Sequence, residues 1–427
     1  MKRKLAILLT MTIVFSLLGG CGAKDSNDDG SKTKKVELDV MMSFPQYTDQ
    51  VETYFDKFKE KMLEENNTEV TINLEMPSSE QYGQILQTRL SSNEAPDLFT
   101  IHALADIPTY YNGGYLKDLS DQPFASKIYD DVKQTVTYDG KVLAVPLEST
   151  AWGYLYNKDI FDECNITPPE TIDEMKEDCE ILKAKGYTPF LLSFQDSWIP
   201  QLMTALSLGG VVSGSETDWL NKMYEDNGSY SDVSEIFDII DIINKNGTDR
   251  PFETGYDKGC AEFANGNAAM WVNGTWAAEP IISANEDINI GVGALPVNND
   301  PKSTLINLST STSLVVYSGT EKEEMALELA NYILDDNDSS DFYQSMKFNP
   351  VATCHNYEQY SWVKDAYKYV EEGRAYTDLV IPSAVTDEQA KLLQEYYIGS
   401  VTKKDMIDTL DKTFKEANKA SAEANEE

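Results

Sequence analysis

Apolar and polar residues alternate at the start of the folded part of the chain. Val36, Leu38 and Val40 are separated by polar positions, a period of two that predicts a half-buried strand. Over residues 48–64 the period lengthens. Val51, Tyr54, Phe55, Phe58 and Met62 then share one helical face, and Asp49 and Glu52 have capping-box spacing. Val70, Ile72, Leu74 and Met76 alternate again, and residues 81–90 read as a helix. Ala95-Pro96-Asp97 breaks that helix ahead of the apolar run 98–101, and Asp97 is expected to fix its own turn. Strands alternating with helices predict an α/β sandwich with a mostly parallel sheet.

Further along, Tyr138-Asp139-Gly140-Lys141 reads as a turn before the apolar stretch 142–146. Pro168-Pro169 precedes Thr171-Ile172-Asp173-Glu174, a capping box opening a helix with Ile172, Met175, Cys179 and Leu182 buried and Lys183, Lys185 and Gly186 at its close. Residues 232–246 predict another helix, with Val233, Ile236, Phe237, Ile240 and Ile243 inward and Gly247 at its stop. A strand at 314–317 and helices near 321–334, 388–397 and 404–419 follow. No internal repeat or long linker interrupts residues 36–419.

The first residues read as an address. Lys2-Arg3-Lys4 is a positive n-region, and the apolar stretch 5–18 is shorter than the ~20 residues a membrane span needs. Leu18-Gly19-Gly20-Cys21 resembles a bacterial lipobox. Residues 1–20 are therefore expected to be a lipoprotein signal peptide, Cys21 the lipidation site, and 21–35 a flexible tether rich in Asp, Ser, Lys and Gly.

Composition narrows the function. The chain has 427 residues, enough for two or three domains. Its 35 basic and 72 acidic side chains give a formal net charge of −37, which excludes general affinity for nucleic acid or anionic lipid. Only two histidines occur, His102 and His355, so the multi-histidine sites of catalytic zinc enzymes are excluded and no metal is expected. Cys164, Cys179, Cys260 and Cys354 would permit two disulfides, although Cys179 lies on an apolar helical stripe where a buried free thiol fits equally. There is no C-x-x-C, nucleophile elbow, phosphate loop or H-E-x-x-H. Gly291-Val292-Gly293 lacks the third glycine of a dinucleotide fingerprint, Pro296 standing in its place. Asp335-Asp336-Asn337-Asp338 lacks the turn glycine and terminal glutamate of an EF-hand. A glycosidase carboxylate pair needs a spatial separation that no sequence spacing reports.

Four stretches together resemble the extracellular solute-binding proteins of ABC sugar importers, the maltose-binding type. They are Asn93 to Asp97; Gly140 to Pro146 with Tyr154-Leu155-Tyr156-Asn157-Lys158, Pro169 to Glu174 and Gly186 to Pro189; Phe263 to Met270 with Gly274-Thr275-Trp276; and Ile290-Gly291-Val292 leading to Leu295-Pro296. Ile172 and Asn267 depart from the usual Trp and Lys. Leu308 to Ser313 replaces a Gly-rich segment that follows Pro296 in the family, and this puts the ligand class in question rather than the fold.

The resemblance implies a two-lobed, periplasmic-binding-protein-like α/β fold of the class II type, with a ligand cleft between the lobes. Lobe one is expected to be 36–147 with 297–349 and lobe two 148–296 with 350–427, the chain crossing near 145–150, 290–297 and 350–354. Sugars need aromatic plates for their C–H faces and polar groups for their hydroxyl rim. The candidate ligand contacts are Phe44, Gln46, Tyr82, Thr100 and His102 in lobe one, Glu148 and Trp152 at the first crossing, Trp198, Gly274 and Trp276 in lobe two, Ser309, and Arg374 in a late loop. Trp271 is assigned to the core. No cofactor or catalytic residue is implied.

The expected function is capture of a carbohydrate, an oligosaccharide, by hinge closure and its delivery to the permease subunits of an ABC importer. The expected form is a monomer lipid-anchored at the extracellular face of a Gram-positive membrane. The alternatives are the same fold binding a polyol, peptide or polyamine, a surface carbohydrate-active hydrolase, and a sensory lipoprotein.

Overall fold

The computed structural model describes residues 33–310, 312–358 and 360–424. The signal segment, Cys21 and residues 22–32 of the tether lie outside the described residues. Lys34 and Lys35, expected in the tether, already belong to the first strand because Lys34 to Met41 pair in register with Thr68 to Glu75.

The strands are β1 Lys34–Met41, β2 Thr68–Glu75, β3 Leu98–His102, β4 Thr137–Tyr138, β5 Lys141–Val142, β6 Val145–Pro146, β7 Ser149–Asn157, β8 Met270–Gly274, β9 Ile290–Gly293, β10 Ile306–Thr310, β11 Thr312–Val316 and β12 Ala375–Tyr376. β1 to β3, β6 and β11 form one sheet in the order β2-β1-β3-β11-β6. β1 runs parallel to β2 and β3, and β11 runs antiparallel to β3 and β6. β4 and β5 form a separate hairpin whose turn residues Asp139 and Gly140 both have positive φ, as a tight two-residue hairpin turn requires.

The second sheet is built on β7, which pairs antiparallel with β8, β9 and β10; only β12 joins in parallel, on β10. The expected mostly parallel sheet is thus realised in half of lobe one and not in lobe two. Apolar alternation along a strand records which residues share a face but not the direction of the neighbouring strand.

The sheets also move the lobe boundaries. β10 was expected in lobe one and pairs instead with β7 in lobe two, while Val297 and Ile306 pack in lobe-two cores. The chain therefore passes between lobes at 147–148, where β6 gives way to β7, and again between Thr310 and Thr312, not at 290–297. Val351, Ala352, Cys354 and Tyr357 still pack on the lobe-one core, whereas Trp362 and Val363 lie in lobe two. This places the third passage after Tyr357 rather than at 350–354.

Local signals account for most elements. The helix Thr48–Asn66 buries the five residues that its periodicity marked. Its capping box does not form, because the chain enters through a 3-10 turn at Pro45–Tyr47 and the Thr48 hydroxyl donates to the Pro45 carbonyl. Thr171 does cap the helix Ile172–Ala184, accepting from the Glu174 N–H at 3.2 Å, while the Glu174 carboxylate reaches back to the Glu170 N–H. The expected helix at 232–246 is preceded by a 3-10 turn at Tyr230–Val233, set by Asp411, which accepts from both the Ser229 hydroxyl and the Tyr230 N–H. Asp97 does more than fix its own turn. Its carboxylate accepts from the Asp39 N–H at 2.8 Å, takes the Thr320 hydroxyl and pairs with Lys322 at 3.0 Å, tying three segments of lobe one.

Lobe two carries a core on each face of its sheet. Along β7, Ala151 and Leu155 face one core and Tyr154 and Tyr156 the other; Trp271 and Met270 of β8 divide in the same way. The helix Trp198–Gly214 is apolar almost all round because it runs through the lobe interior. The cysteines 164, 179, 260 and 354 are all free thiols, so the open choice between disulfide and thiol resolves to thiol.

Candidate ligand-binding site

The ends of several strands meet between the lobes. In lobe one the loop after β1 brings Ser43, Phe44 and Gln46, β3 ends at His102, and β11 begins at Thr312. In lobe two, Trp152 stands on β7, Trp198 and Gln201 open the helix Trp198–Gly214, Tyr256 to Lys258 open the helix Tyr256–Ala264, and Trp276 follows β8. These residues, with Glu148 at the first passage, line a cavity of about 1100 Å³. Open α/β folds place ligands at such strand ends, where side chains from different loops converge.

One wall is aromatic. The Trp152 and Trp276 rings meet edge to face with centroids 5.1 Å apart, Trp276 and Trp198 lie 6.4 Å apart, and Trp198 and Tyr256 5.4 Å. His102 closes the arc from the other lobe, 6.1 Å from Trp152. The three tryptophans are half-buried, so each keeps part of a ring toward the cavity. Two hydrogen bonds tether this wall. Trp152 Nε1 donates to the Thr150 hydroxyl at 2.8 Å, and the Tyr256 hydroxyl donates to the Trp276 carbonyl at 3.4 Å. Burial holds the Tyr256 phenol well above its usual pKa, so it stays neutral.

The rest of the cavity rim is polar. Gln46 and Gln195 are exposed, with Asp196, Gln201, Asp257 and Lys258 around them. Asp196 also positions the wall, its carboxylate accepting from the Tyr256 N–H at 2.6 Å. His102 bridges the lobes. Its Nδ1 accepts from the Ala105 N–H at 3.3 Å, and its Nε2 lies 3.8 Å from a carboxylate oxygen of Asp378 in lobe two. Burial raises the carboxyls of both Asp378 and Asp106, and the nearby His102 opposes the rise.

Seven expected contacts therefore line the cleft: Phe44, Gln46, His102, Glu148, Trp152, Trp198 and Trp276. Five do not. The Tyr82 hydroxyl donates to the Thr100 carbonyl and accepts from the Thr100 N–H, and the fully buried Thr100 hydroxyl accepts from the Ser43 N–H at 2.9 Å. This pair props the Ser43–Gln46 loop from beneath. Gly274 lies behind the wall, since a Cβ there would come within 1.9 Å of the Trp276 ring. The buried Ser309 hydroxyl donates to Asn307 and accepts from the Asp378 N–H. Arg374 is turned away, paired with Glu170 at 3.0 Å and with Glu372, and lying 4.8 Å over the Tyr369 ring. Sequence reasoning missed Gln195, Asp196 and Gln201, although they sit within one helical turn of Trp198. It also missed Tyr256 to Lys258, which stand at a helix start marked by Gly255.

The model of the bacterial extracellular solute-binding protein family matches residues 45–337. The chain belongs to that family. Relatives include the multiple sugar-binding protein of Streptococcus mutans, 25% identical over 301 residues that cover 69% of this chain and 70% of that protein. Another is the maltodextrin-binding protein MdxE of Bacillus subtilis, 25% identical over 375 residues, 83% of this chain and 82% of that one. Among solved structures, RafE in complex with raffinose superposes with a TM-score of 0.77 at 20% identity, covering 90% of this chain and all of that one. A chitin oligosaccharide binding protein gives 0.78 at 20% identity, over 90% and 99%. These structures share the two-lobed solute-binding fold. Among the described residues, no helix is long and apolar enough to cross a membrane, and no group of three acidic, His or Cys side chains is placed to hold a metal ion.

Proposed function

We propose that this solute-binding protein captures a neutral oligosaccharide in the interlobe cleft and delivers it to an ABC importer. One observation carries the reading: the continuous arc of Trp152, Trp276, Trp198 and Tyr256 along one cleft wall, facing the polar loop of Ser43 to Gln46 across the gap. Aromatic plates suit the C–H faces of pyranose rings, and the amide and carboxylate rim suits their hydroxyls. Three to four plates in a row suit several linked sugar units better than one. The sugar-binding names of the relatives, and the raffinose in the RafE structure, support the same class.

Capture needs no covalent chemistry. A ligand touching Trp152, Trp198 and Trp276 in lobe two together with Phe44, Gln46 and His102 in lobe one binds the closed form better than the open one. That difference alone shifts the population. The three passages at 147–148, Thr310 to Thr312 and after Tyr357 supply the hinge. In this reading residues 1–20 are the signal peptide, Cys21 carries the lipid at the outer face of a Gram-positive membrane, 21–33 tether a monomer, and the permease reads the closed state.

The test is a thermal-shift and calorimetric screen against mono- and oligosaccharides, among them raffinose, stachyose, maltotriose and chitotriose. A cognate sugar at 100 times its Kd stabilises the fold by ~2.7 kcal/mol. Stoichiometric binding without new products supports capture; turnover of the sugar would establish the hydrolase instead. Binding of polyamines or peptides in preference to every sugar would assign the alternative ligand class. Cys21→Ala releases the protein from the membrane if the lipid anchor is right, and two neighbouring permease genes distinguish importer from sensor.

A further inference from the structure

A second cavity, of about 630 Å³, lies within lobe two. It is bounded by the segment 165–170, the helix Ile172–Ala184 and the helix Ser361–Glu371, and Tyr156 and Tyr369 form its apolar side. Nothing in the capture of a cleft ligand uses it.

Asp178 lines this cavity from the buried face of the helix Ile172–Ala184, beside Met175 and Leu182. It is only 8% exposed, and its carboxylate makes no hydrogen bond or ion pair with any described residue. Several other charged groups around the cavity are paired. Asp365 is held by Lys158 at 2.7 Å and Lys368 at 3.3 Å, and Arg374 is taken up by Glu170 and Glu372. The cations that line the cavity are thus already engaged, and Asp178 is left without one. A buried carboxylate with no partner is costly, and an apolar residue would satisfy the helix face equally well. Burial, with the adjacent Glu174 and Glu177 adding to it, pushes the Asp178 carboxyl up to about 7.

The occupant that removes this cost is a cation. A bare metal ion is a poor candidate, because no three acidic, His or Cys groups among the described residues are placed to coordinate one. An ammonium group needs only one carboxylate at close range, and an aliphatic chain behind it would cover the apolar side formed by Tyr156 and Tyr369. We propose that the lobe-two cavity is a second binding site, for a small aliphatic ammonium ion whose charge pairs with Asp178.

The experiment titrates the full chain with 1,4-diaminobutane and with n-butylamine by calorimetry at pH 8 in 150 mM NaCl, with n-butanol as the uncharged control. The expected result is saturable one-to-one binding of the amines and none of the alcohol. Affinity should weaken at least tenfold in Asp178→Asn and by a similar factor for wild type at pH 5.5, where the carboxyl takes up its proton. Trp198→Ala, altered in the cleft, should keep full amine affinity. Asp178→Asn removes a buried charge and is expected to fold, which circular dichroism checks. Glu177→Gln, at an exposed position, should weaken the amine severalfold without disturbing the fold. Absence of saturation at pH 8, or undiminished binding in Asp178→Asn, would overturn the proposal. So would loss of amine binding in Trp198→Ala, which would place the amine in the cleft.

Discussion

Trp152 and Trp276 meet edge to face at 78°, with their centroids 5.1 Å apart, one from a strand that follows the first passage between lobes and the other from the turn after β8. Each ring fixes the other, so the cleft wall is preorganised before ligand arrives. This limits the side-chain entropy that binding would otherwise cost.

Removing a plate should therefore cost affinity and not folding. Trp198→Ala and Trp276→Ala are expected to weaken oligosaccharide binding by ~1–3 kcal/mol each. Calorimetry with the cognate sugar measures it, and unchanged affinity in both variants would remove the aromatic wall from the site.

Gly274 offers a change of one methyl group. Its missing Cβ is the space that the Trp276 ring occupies, so Gly274→Ala must push the ring away. Sugar affinity should fall by about the same amount as in Trp276→Ala, on the order of 1–3 kcal/mol, while the far-ultraviolet spectrum stays native. Wild-type affinity in Gly274→Ala would show that the ring position does not matter.

Arg374 is expected to behave as a structural staple. It joins Glu170, Glu372 and the carbonyls of Pro301 and Thr304, and its removal leaves those carboxylates uncompensated. Arg374→Ala should destabilise the fold by about 1–3 kcal/mol in urea titration. The Kd for sugar, measured well below the unfolding midpoint, should stay within about twofold, because the residue faces away from the cleft.

His355 makes stability depend on pH. The ring packs 4.1 Å from Tyr343, its Nδ1 accepts from the Val351 N–H at 3.1 Å, and burial lowers its pKa to about 4. The folded state therefore resists a proton that the unfolded chain accepts from about pH 6.5 downward. This contribution is complete above pH 6.5 and is lost as pH falls toward 4. His355→Asn keeps an acceptor for Val351 and cannot titrate, so the drop in Tm between pH 7 and 4.5 should be smaller in the variant. An identical drop would discard the argument.

The sequence by itself determined what depends on near neighbours. The alternation at Val36 to Val40, the helical face from Val51 to Met62, the Thr171 cap and the turn at Asp139-Gly140 each involve residues a few positions apart, and each formed where the local pattern placed it. The family motifs in order carried the two-lobed fold, and Trp276 of that pattern reached the cleft beside Trp152 and Trp198. Tertiary structure alone decided the rest. Thr310 pairs with Ser149, which puts β10 in lobe two, and no periodicity reports a partner so distant in the chain. Arg374 looked like a ligand contact until Glu170, 204 positions away, took its guanidinium. Thr100 and Tyr82 satisfy each other beneath the loop they were expected to share with ligand, and Asp178 stands unpaired on a face that its helical period marked as apolar. The physical reason is the same in each case. Propensity, capping and amphipathic spacing act over a turn or two of chain, whereas the partner of a buried polar group is chosen by packing between segments that the fold alone brings together.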